Sequence, residues 1–486
     1  MSDLLLRSGS ELAGAIARGE IAAVDVVRAH IEHLRRVEPR LRAVAGERCA
    51  DALREAAAFD RLRREAGPEA LPRWAGVPCT VKEAIALAGM PNSGGSWHRR
   101  AVRATEDAPA VARLRAAGLV PVAVGNASEL GVWMETINPV HGRTRNAYDR
   151  RRTAGGSTGG DAALVGAGAV PVALGADGGG SIRIPAFFNG VFGHKPSAGL
   201  VPIEGQFPLP TGPAARLVAV GPIARRAADL WPVLRLLAGE GDGAAGGDGL
   251  RGDPACVEVR ALRVLDVRDP QIDRLDAALD HAQRRAVSHL RSLGCDVRAT
   301  RLDAFDGALE VWLSVLASSR SEPFERLAGG GEPLRLAVEL LRAAIGRPRY
   351  TLPTLAMVAL ERVARAVRWD HGRALRRLEE VRARVLDLVA PDAVLLCPPH
   401  PVVAPRHREP LLHPRRAACT ALFNLLEMPA TAVPMGLDAR GLPVGVQVAA
   451  APGLDALPIA VALELERAFG GWVPPPWTGL RPTETA

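Results

Sequence analysis

The sequence predicts an α/β fold in which a mixed, largely parallel, twisted β-sheet is covered on both faces by helices. Short runs rich in β-branched residues alternate with amphipathic helical patterns along most of the 486 residues, which is typical of a sheet wrapped by helices. Hydrophobic residues make up 48% and charged residues 23% of the chain, the balance of an ordinary globular enzyme. No point divides the chain into self-sufficient halves, so we expect one large domain, 1–486.

Local patterns place the elements in order along the chain. Before the glycine-rich stretch they are one or two helices in 9–37, a β-rich run at 76–82, a helix from Asp107–Pro109 to Gly118, and a strand at 119–124. After it they are a strand at 262–267, a helix from Pro270 to Leu293, a strand at 295–299, helices in 304–390, and strands at 393–397, 430–433 and 444–448. A Gly/Asp-rich surface connection is expected at 239–252.

These elements divide the single domain into four stretches. We expect N-terminal helices in 1–70, a core in 71–240, a variable and largely helical substrate-side region in 241–400, and a C-terminal return to the sheet in 401–486.

Charge and hydropathy exclude several functional classes. The net charge of +8 would suit a nucleic-acid partner, but the basic residues are spread through helical segments and only 4% of residues are aromatic, whereas a nucleic-acid footprint concentrates charge on one surface. The N-terminus lacks a basic stretch before its leucines, and the uncharged stretch 162–176 is too short to span a membrane. We expect a cytoplasmic protein with neither a nucleic-acid partner nor a transmembrane segment.

The cysteines carry no recognisable site. Six of them are scattered with no CxxC pair and no clustered histidines, which argues against a disulfide framework or a zinc site. We expect reduced, mostly buried thiols, and no metal or cofactor.

Lysine is almost absent from the chain. Of 61 basic residues only Lys82 and Lys195 are lysines, and the other 59 are arginines. A buried lysine can lose its proton whereas an arginine effectively cannot, so a remaining lysine marks a candidate position at which a guanidinium is unable to serve. The alternatives are chance survival and tight packing. Both lysines are therefore candidates for chemistry.

Two glycine-rich loops, separated by a small-residue helix, contain candidate nucleophilic serines. The first runs from Thr153 to Asp161 and the second from Gly175 to Pro185. Glycines let consecutive N–H groups converge on one point, and such donors beside a serine suit acyl transfer. Serine alone is weak and needs a base. Neither loop fits a phosphate-binding or dinucleotide-binding fingerprint, and the GxSxG elbow is absent at both serines.

Together with Lys82, these loops resemble the amidase signature family. That family carries GGSSGG, then DxGGSIRxP, and an upstream lysine in a VKD-like strand end; the corresponding segments here are Gly155–Gly160, Asp177–Pro185 and Val81–Glu83. Further similar segments are 142–149, 193–196, 423–430 and 441–447. The segments that resemble the branch containing the second type of fatty acid amide hydrolase and its bacterial relatives are 80–93, 185–196 and 205–208. The resemblance implies the amidase signature fold, with the catalytic triad in the 71–240 core.

The resemblance also implies a catalytic triad. Ser181 would be the nucleophile that forms an acyl-enzyme. Ser157, held in that family by a cis peptide bond, would relay the proton. Lys82, neutral because it is buried, would act as base and then, through Ser157, as acid for the leaving amine.

Supporting groups follow from the same resemblance. The oxyanion hole would use the backbone N–H groups of Gly178, Gly179, Gly180 and Ser181. Asp177 and Arg183 would form an ion-paired scaffold. Thr158 stands where the family usually has a second serine, so we expect tuning rather than inactivation; Glu83 replaces the more frequent aspartate. Lys195 would lie in a packing motif rather than in the triad.

The substrate is less firmly indicated. Residues 304–380 resemble the family least, and their apolar face would line an acyl or aryl pocket, form a lid, or simply pack on the core. Trp133, Met134 and Trp312 are candidate pocket walls, with core packing as the alternative for each. We expect a monomeric or homodimeric serine amidohydrolase for small hydrophobic amides or anilides, with side activity on esters and carbamates (urethanase activity).

Two functions from other classes remain open. One is a glutamine-dependent amidotransferase subunit that needs partner proteins and a polar glutamine pocket, which the apolar 304–380 region disfavours. The other is a catalytically inactive binding protein, which the intact triad disfavours.

Overall fold

The computed structural model describes residues 3–239, 250–268, 273–319, 322–367, 370–389 and 391–481. Its strands are β1 (Val44–Glu47), β2 (Pro78–Lys82), β3 (Val120–Gly125), β4 (Ile137–Asn138), β5 (Gly142–Arg143), β6 (Val172–Asp177), β7 (Phe192–Lys195), β8 (Ala219–Ala224), β9 (Arg263–Asp266), β10 (Asp296–Ala299), β11 (Ala393–Cys397), β12 (Ala430–Leu437) and β13 (Pro443–Ala450). Its helices are α1 (Gly9–Arg18), α2 (Ala23–Leu41), α3 (Cys49–Ala66), α4 (Pro109–Ala116), α5 (Gly159–Gly166), α6 (Arg183–Phe188), α7 (Leu230–Ala238), α8 (Ala277–Ser292), α9 (Ala308–Ser318), α10 (Phe324–Ala328), α11 (Leu336–Ala344), α12 (Leu352–Ala366), α13 (His371–Leu388), α14 (Ala418–Leu425) and α15 (Ala456–Phe469).

Eleven strands form one mixed sheet in the order β1-β3-β2-β6-β8-β7-β12-β13-β11-β9-β10. Parallel pairing holds β3–β2–β6 together near one edge and β11–β9–β10 at the other. Antiparallel pairing joins these two groups and takes up more of the sheet than the alternating pattern predicts. One reason is the short connection between Leu437 and Pro443, which only a hairpin satisfies. The predicted α/β class, with a mixed sheet flanked by helices, is confirmed.

The sheet is buried on both faces. Every residue of β6, β8 and β13 is buried, which requires cover from both sides. The main core cluster joins Leu12 of α1 with Val446 of β13, so the two ends of the chain share one core. A second cluster places α9 and α13 against α14, and a third packs α10 and α12 around Leu130.

The largest boundary error concerns α8. The pattern predicts a helix from Pro270, but the helix begins at Ala277, because the Asp276 side chain accepts a hydrogen bond from the N–H of Ala278 and caps it there. Residues 270–272, and residues 240–249 of the predicted connection, lie outside the described residues. Of the helices in the described ranges, none has the length and apolar character needed to cross a membrane.

Candidate active site

The topology of the sheet brings the predicted triad together at the carboxyl ends of neighbouring strands. Strands β2 and β6 are parallel neighbours, with Val81 opposite Leu174. Parallel neighbours end at the same edge of a sheet, where ligands bind in α/β folds. Lys82 is the last residue of β2, and the loop with Ser181 follows β6. Ser157 immediately precedes Thr158, the residue at the start of α5, and so completes the cluster.

Lys82 and Ser157 are in direct contact. The Lys82 Nζ lies 2.7 Å from the Ser157 Oγ and donates a second hydrogen bond to the Ala176 carbonyl at 3.3 Å. Lys82 is 3% exposed and Ser157 1%. The peptide bond between Gly156 and Ser157 is cis, as the resemblance implies. A neutral amine at this distance is able to accept the hydroxyl proton.

Burial favours the neutral form of the Lys82 amine. It lowers the pKa of Lys82 to about 8, against the opposing charges of Asp161, Asp177 and Glu83. Asp161 is itself buried, in the first turn of α5, and burial raises its pKa to about 7. Asp161 belongs to the first glycine-rich loop, but nothing in the sequence indicates that its charge acts on Lys82.

Ser181 joins this pair across a shared cavity. It lies in the short loop between β6 and α6, and Ser181, Ser157 and Lys82 all line the same cavity. The N–H of Thr158 donates to the carbonyl of Ser181 at 3.1 Å, which ties the two glycine-rich loops together.

The N–H groups around Ser181 are not equivalent. The N–H of Gly180 donates to the Asp177 Oδ1 at 2.6 Å. In this structure that N–H is engaged within the loop, while the four-donor oxyanion hole implied by the resemblance stays a prediction. The N–H groups of Gly178, Gly179 and Ser181 have no acceptor among the residues that the structure describes. Three donors therefore remain beside the serine.

The carboxylate of Asp177 holds the loop in place through hydrogen bonds and an ion pair. It forms a fully buried pair with Arg183, at 3.0 Å from Nε, and accepts hydrogen bonds from Asn424 and from the N–H of Ile182. Burial by itself would raise the pKa of Asp177, but the Arg183 guanidinium holds that pKa well below its usual range. Gly180 has a φ of +124°, and a side chain there would overlap the Thr420 hydroxyl.

The two departures from the family motif have structural explanations. The Thr158 hydroxyl donates to the Ala176 carbonyl, which Lys82 also contacts, and the Thr158 methyl packs where Gly175 leaves room. The buried Glu83 carboxylate accepts from the N–H and hydroxyl of Ser93, both at 2.6 Å, and from the N–H of Gly94 at 3.0 Å. It therefore anchors a turn, whose Gly94 carbonyl receives the N–H of Leu130 at the cavity wall.

The cavity next to the three residues has a volume of about 860 Å³ and mostly apolar walls. All three predicted pocket walls, Trp133, Met134 and Trp312, line it. Helices α9 and α12, from the predicted substrate-side region, supply further apolar side chains, namely Leu309, Leu313, Leu316, Pro353, Ala356, Met357 and Leu360. Lys82 and Glu322 are the only ionisable groups among the described residues that line it.

Lys195 lies outside this cavity. It is 1% exposed, and its Nζ donates to the Pro196 carbonyl at 2.6 Å. Burial lowers the pKa of Lys195 to about 7, and the nearby Arg183 charge acts in the same direction. Its packed position agrees with a structural role.

A comparison with protein families decides the identity. A family model described as Amidase matches residues 25–457. The chain is a member of the amidase signature family. The family model, taken with the hydrolases among its relatives, supports an enzyme that hydrolyses amide C–N bonds.

Within this amidase family, two curated relatives have different activities. Human fatty-acid amide hydrolase 2 is 38% identical over 488 residues, covering 97% of this chain and 91% of the relative. A glutamyl-tRNA(Gln) amidotransferase subunit from Chloroflexus aurantiacus is 32% identical over 460 residues, covering 90% of this chain and 91% of the relative. Among solved structures, 6-aminohexanoate cyclic dimer hydrolase superposes with a TM-score of 0.78 at 27% identity, covering 99% of each chain.

Proposed function

We propose that this amidase hydrolyses small hydrophobic amides and anilides through an acyl-enzyme on Ser181. The observation that carries the proposal is the cavity itself. Lys82, Ser157 and Ser181 line it, and its walls are apolar apart from a few polar groups. A predominantly apolar pocket with convergent polar groups suits an uncharged substrate.

The proton path follows from the contacts of Lys82. In the neutral state Lys82 takes the proton of Ser157, and Ser157 takes that of Ser181 as the Ser181 Oγ attacks the carbonyl carbon. The oxygen of the tetrahedral intermediate is stabilised by the N–H groups of Gly178, Gly179 and Ser181. Lys82, now charged, returns a proton through Ser157 to the leaving amine. Water then attacks the acyl-enzyme and gives its proton through Ser157 to Lys82. The Ser181 oxygen takes a proton back along the same path as it leaves, and the carboxylic acid is released.

The walls of the cavity disfavour the amidotransferase alternative. Free glutamine carries an ammonium and a carboxylate, and buried charges need partners. Among the described lining residues only Glu322 and Lys82 are ionisable, and Lys82 is engaged with Ser157. No arginine is present among the described residues of this lining to pair with a carboxylate. The similarity to a fatty-acid amide hydrolase agrees with an apolar substrate.

Side activity on esters and carbamates follows from the same chemistry. With an ester or a carbamate, the alkoxide or aryloxide is expelled from the tetrahedral intermediate on Ser181 and takes the proton that Lys82 returns through Ser157, so no further catalytic group is needed. We propose that such substrates are turned over when their acyl part fits the cavity.

A substrate panel tests the proposal. Acyl anilides, fatty primary amides, aryl esters, aryl carbamates and glutamine are assayed with the wild type, Ser181→Ala, and the control Ser292→Ala, an exposed serine of α8. We expect hydrophobic amides or anilides to be hydrolysed by the wild type and the control, and Ser181→Ala to lose about 10⁵-fold or more in kcat. Glutaminase activity with no hydrolysis of apolar amides would reject the proposal in favour of the amidotransferase.

A further inference from the structure

Two neighbouring helices hold the two successive carbonyls of the loop before Ser181. The Trp312 Nε1 of α9 donates to the Gly178 carbonyl at 2.6 Å. The Thr420 hydroxyl of α14 donates to the Gly179 carbonyl at 2.8 Å. Both anchors lie far from the loop in sequence, so the orientation of these two peptide planes is set by tertiary packing.

Fixing a carbonyl also fixes the N–H on the other side of the same peptide. The peptide group is planar, and in its trans form the C=O and N–H point in opposite directions. The peptide anchored by Thr420 carries the N–H of Gly180, which donates to Asp177. The peptide anchored by Trp312 carries the N–H of Gly179, which has no acceptor among the described residues. Trp312 therefore orients a free donor, and Thr420 orients an engaged one.

The indole is well placed to keep this orientation. A Cβ built on Gly179 would lie 3.2 Å from the Trp312 Nε1 and 3.3 Å from its Cε2, so the ring packs directly on the glycine. Helix α9 is fixed in turn, because Val311 and Val315 share a buried cluster with Leu422 of α14. The two anchoring helices thus form one packed frame around the loop.

We infer that Trp312 is a positioning residue of the oxyanion hole, whose indole N–H holds the Gly178–Gly179 peptide so that the N–H of Gly179 faces the developing oxyanion. This inference rests on the proposed acyl chemistry at Ser181. It assigns Trp312 a function beyond that of a pocket wall. It also means that helix α9 contributes to the rate of catalysis as well as to the shape of the cavity.

The substitution Trp312→Phe separates these two functions. Phenylalanine retains an aromatic ring but has no N–H, so we expect kcat to fall about 10-fold to 100-fold with KM within about threefold, since deletion of a direct oxyanion donor costs about 10²–10³ in kcat. The control is Leu316→Ala, on the same helix and lining the cavity, which we expect to raise KM more than it lowers kcat. Rates are normalised to folded enzyme by titration of Ser181 to the endpoint with a fluorophosphonate.

A second measurement uses a boronic acid whose adduct with Ser181 places an oxygen in the oxyanion hole. In Trp312→Phe we expect its affinity to fall by the same factor as kcat/KM, while the affinity of the product carboxylic acid changes by less than threefold. A kcat within twofold of wild type, or equal losses in boronic and carboxylic acid affinity, would overturn the inference. If wild-type Ser181 does not react with the fluorophosphonate, it is the proposed function that fails.

Discussion

The glycine-rich loops and the helices between residues 308 and 388 differ in how completely their side chains are buried and hydrogen-bonded. In the loops, Thr158, Asp177 and Arg183 are all 0% exposed, and their polar groups are bonded to the backbone, to each other or to the buried Asn424. In the helical region, α12 leaves Leu352, Leu360 and Val363 51%, 47% and 57% exposed, and Leu360 lines the cavity. The catalytic geometry therefore depends on a fully packed core, whereas part of the cavity wall is supplied by a helix with looser packing.

Specific hydrogen bonds join the helical region to the rest of the site. Trp312 bonds to the Gly178 carbonyl. Glu129, which precedes the cavity-lining Leu130, accepts from the N–H and hydroxyl of Thr351 at the start of α12, and from the Thr354 hydroxyl at 2.6 Å. Burial raises the pKa of Glu129 to about 7. Substitutions in the core should therefore change kcat, and those in the helical region, other than at Trp312, should mainly change KM.

After removal of the Ser181 nucleophile itself, the largest expected effect is that of Lys82→Arg. A guanidinium stays protonated at all accessible pH values, so it cannot take the proton of Ser157, and we expect kcat to fall about 10³-fold. Steady-state kinetics at pH 7 to 9 measures this. The matched variant is Lys195→Arg, outside the cavity, whose effect should appear in Tm and not in kcat per titrated site. Near-normal activity of Lys82→Arg at neutral pH would contradict a neutral-lysine base.

An intermediate effect is expected in the pH profile. Protonated Lys82 is inactive as a base, so kcat/KM should rise with pH and level off above the Lys82 pKa of about 8. The negative charge of Asp161 raises that pKa, as do Asp177 and Glu83. Asp161→Asn should therefore move the rise to lower pH. Asp280→Asn, on α8 and paired with Arg284, is the control. A shift to higher pH in Asp161→Asn would show that Asp161 does not act on Lys82 in this way.

The smallest effect is expected from the cavity wall. Met357→Ala on α12 removes lining surface worth about 1–2 kcal/mol of substrate packing, so KM for a long-chain anilide should rise about fivefold to 30-fold with kcat within about threefold. Val363→Ala, on the same helix and 57% exposed, should change neither. A loss in kcat as large as that of a core variant would contradict the separation of the two regions.

The sequence predicts those parts of the fold that depend on local pattern. It places β11 over the residues that form the strand, because their continuous apolar run is bounded by charged and proline-rich segments. It places the start of α8 several residues too early, since only the cap by Asp276 decides it. It underestimates how much antiparallel pairing the centre of the sheet contains. Most of these pairs join strands that are far apart in sequence, and such pairing produces no local pattern.

The site shows the same limit. Lys82 is conspicuous because lysine is so rare in the chain, whereas the roles of Ser157 and Ser181 are predicted from the motifs that resemble those of the family. The bond from Trp312 to Gly178 joins residues 134 positions apart, and the engagement of the Gly180 N–H depends on the local turn geometry around Asp177. Neither follows from a one-dimensional pattern. The sequence predicts Trp312 only as a pocket wall.

The central claim is that the packed core presents Ser181 as the nucleophile of a Lys82–Ser157–Ser181 triad. Its most direct test is reaction of the wild-type protein with a fluorophosphonate, followed by digestion and mass spectrometry to locate the adduct. We predict one phosphonylated residue, Ser181, and no adduct in Ser181→Ala. An adduct on Ser157, or an unlabelled wild type that still hydrolyses amides, would contradict the account.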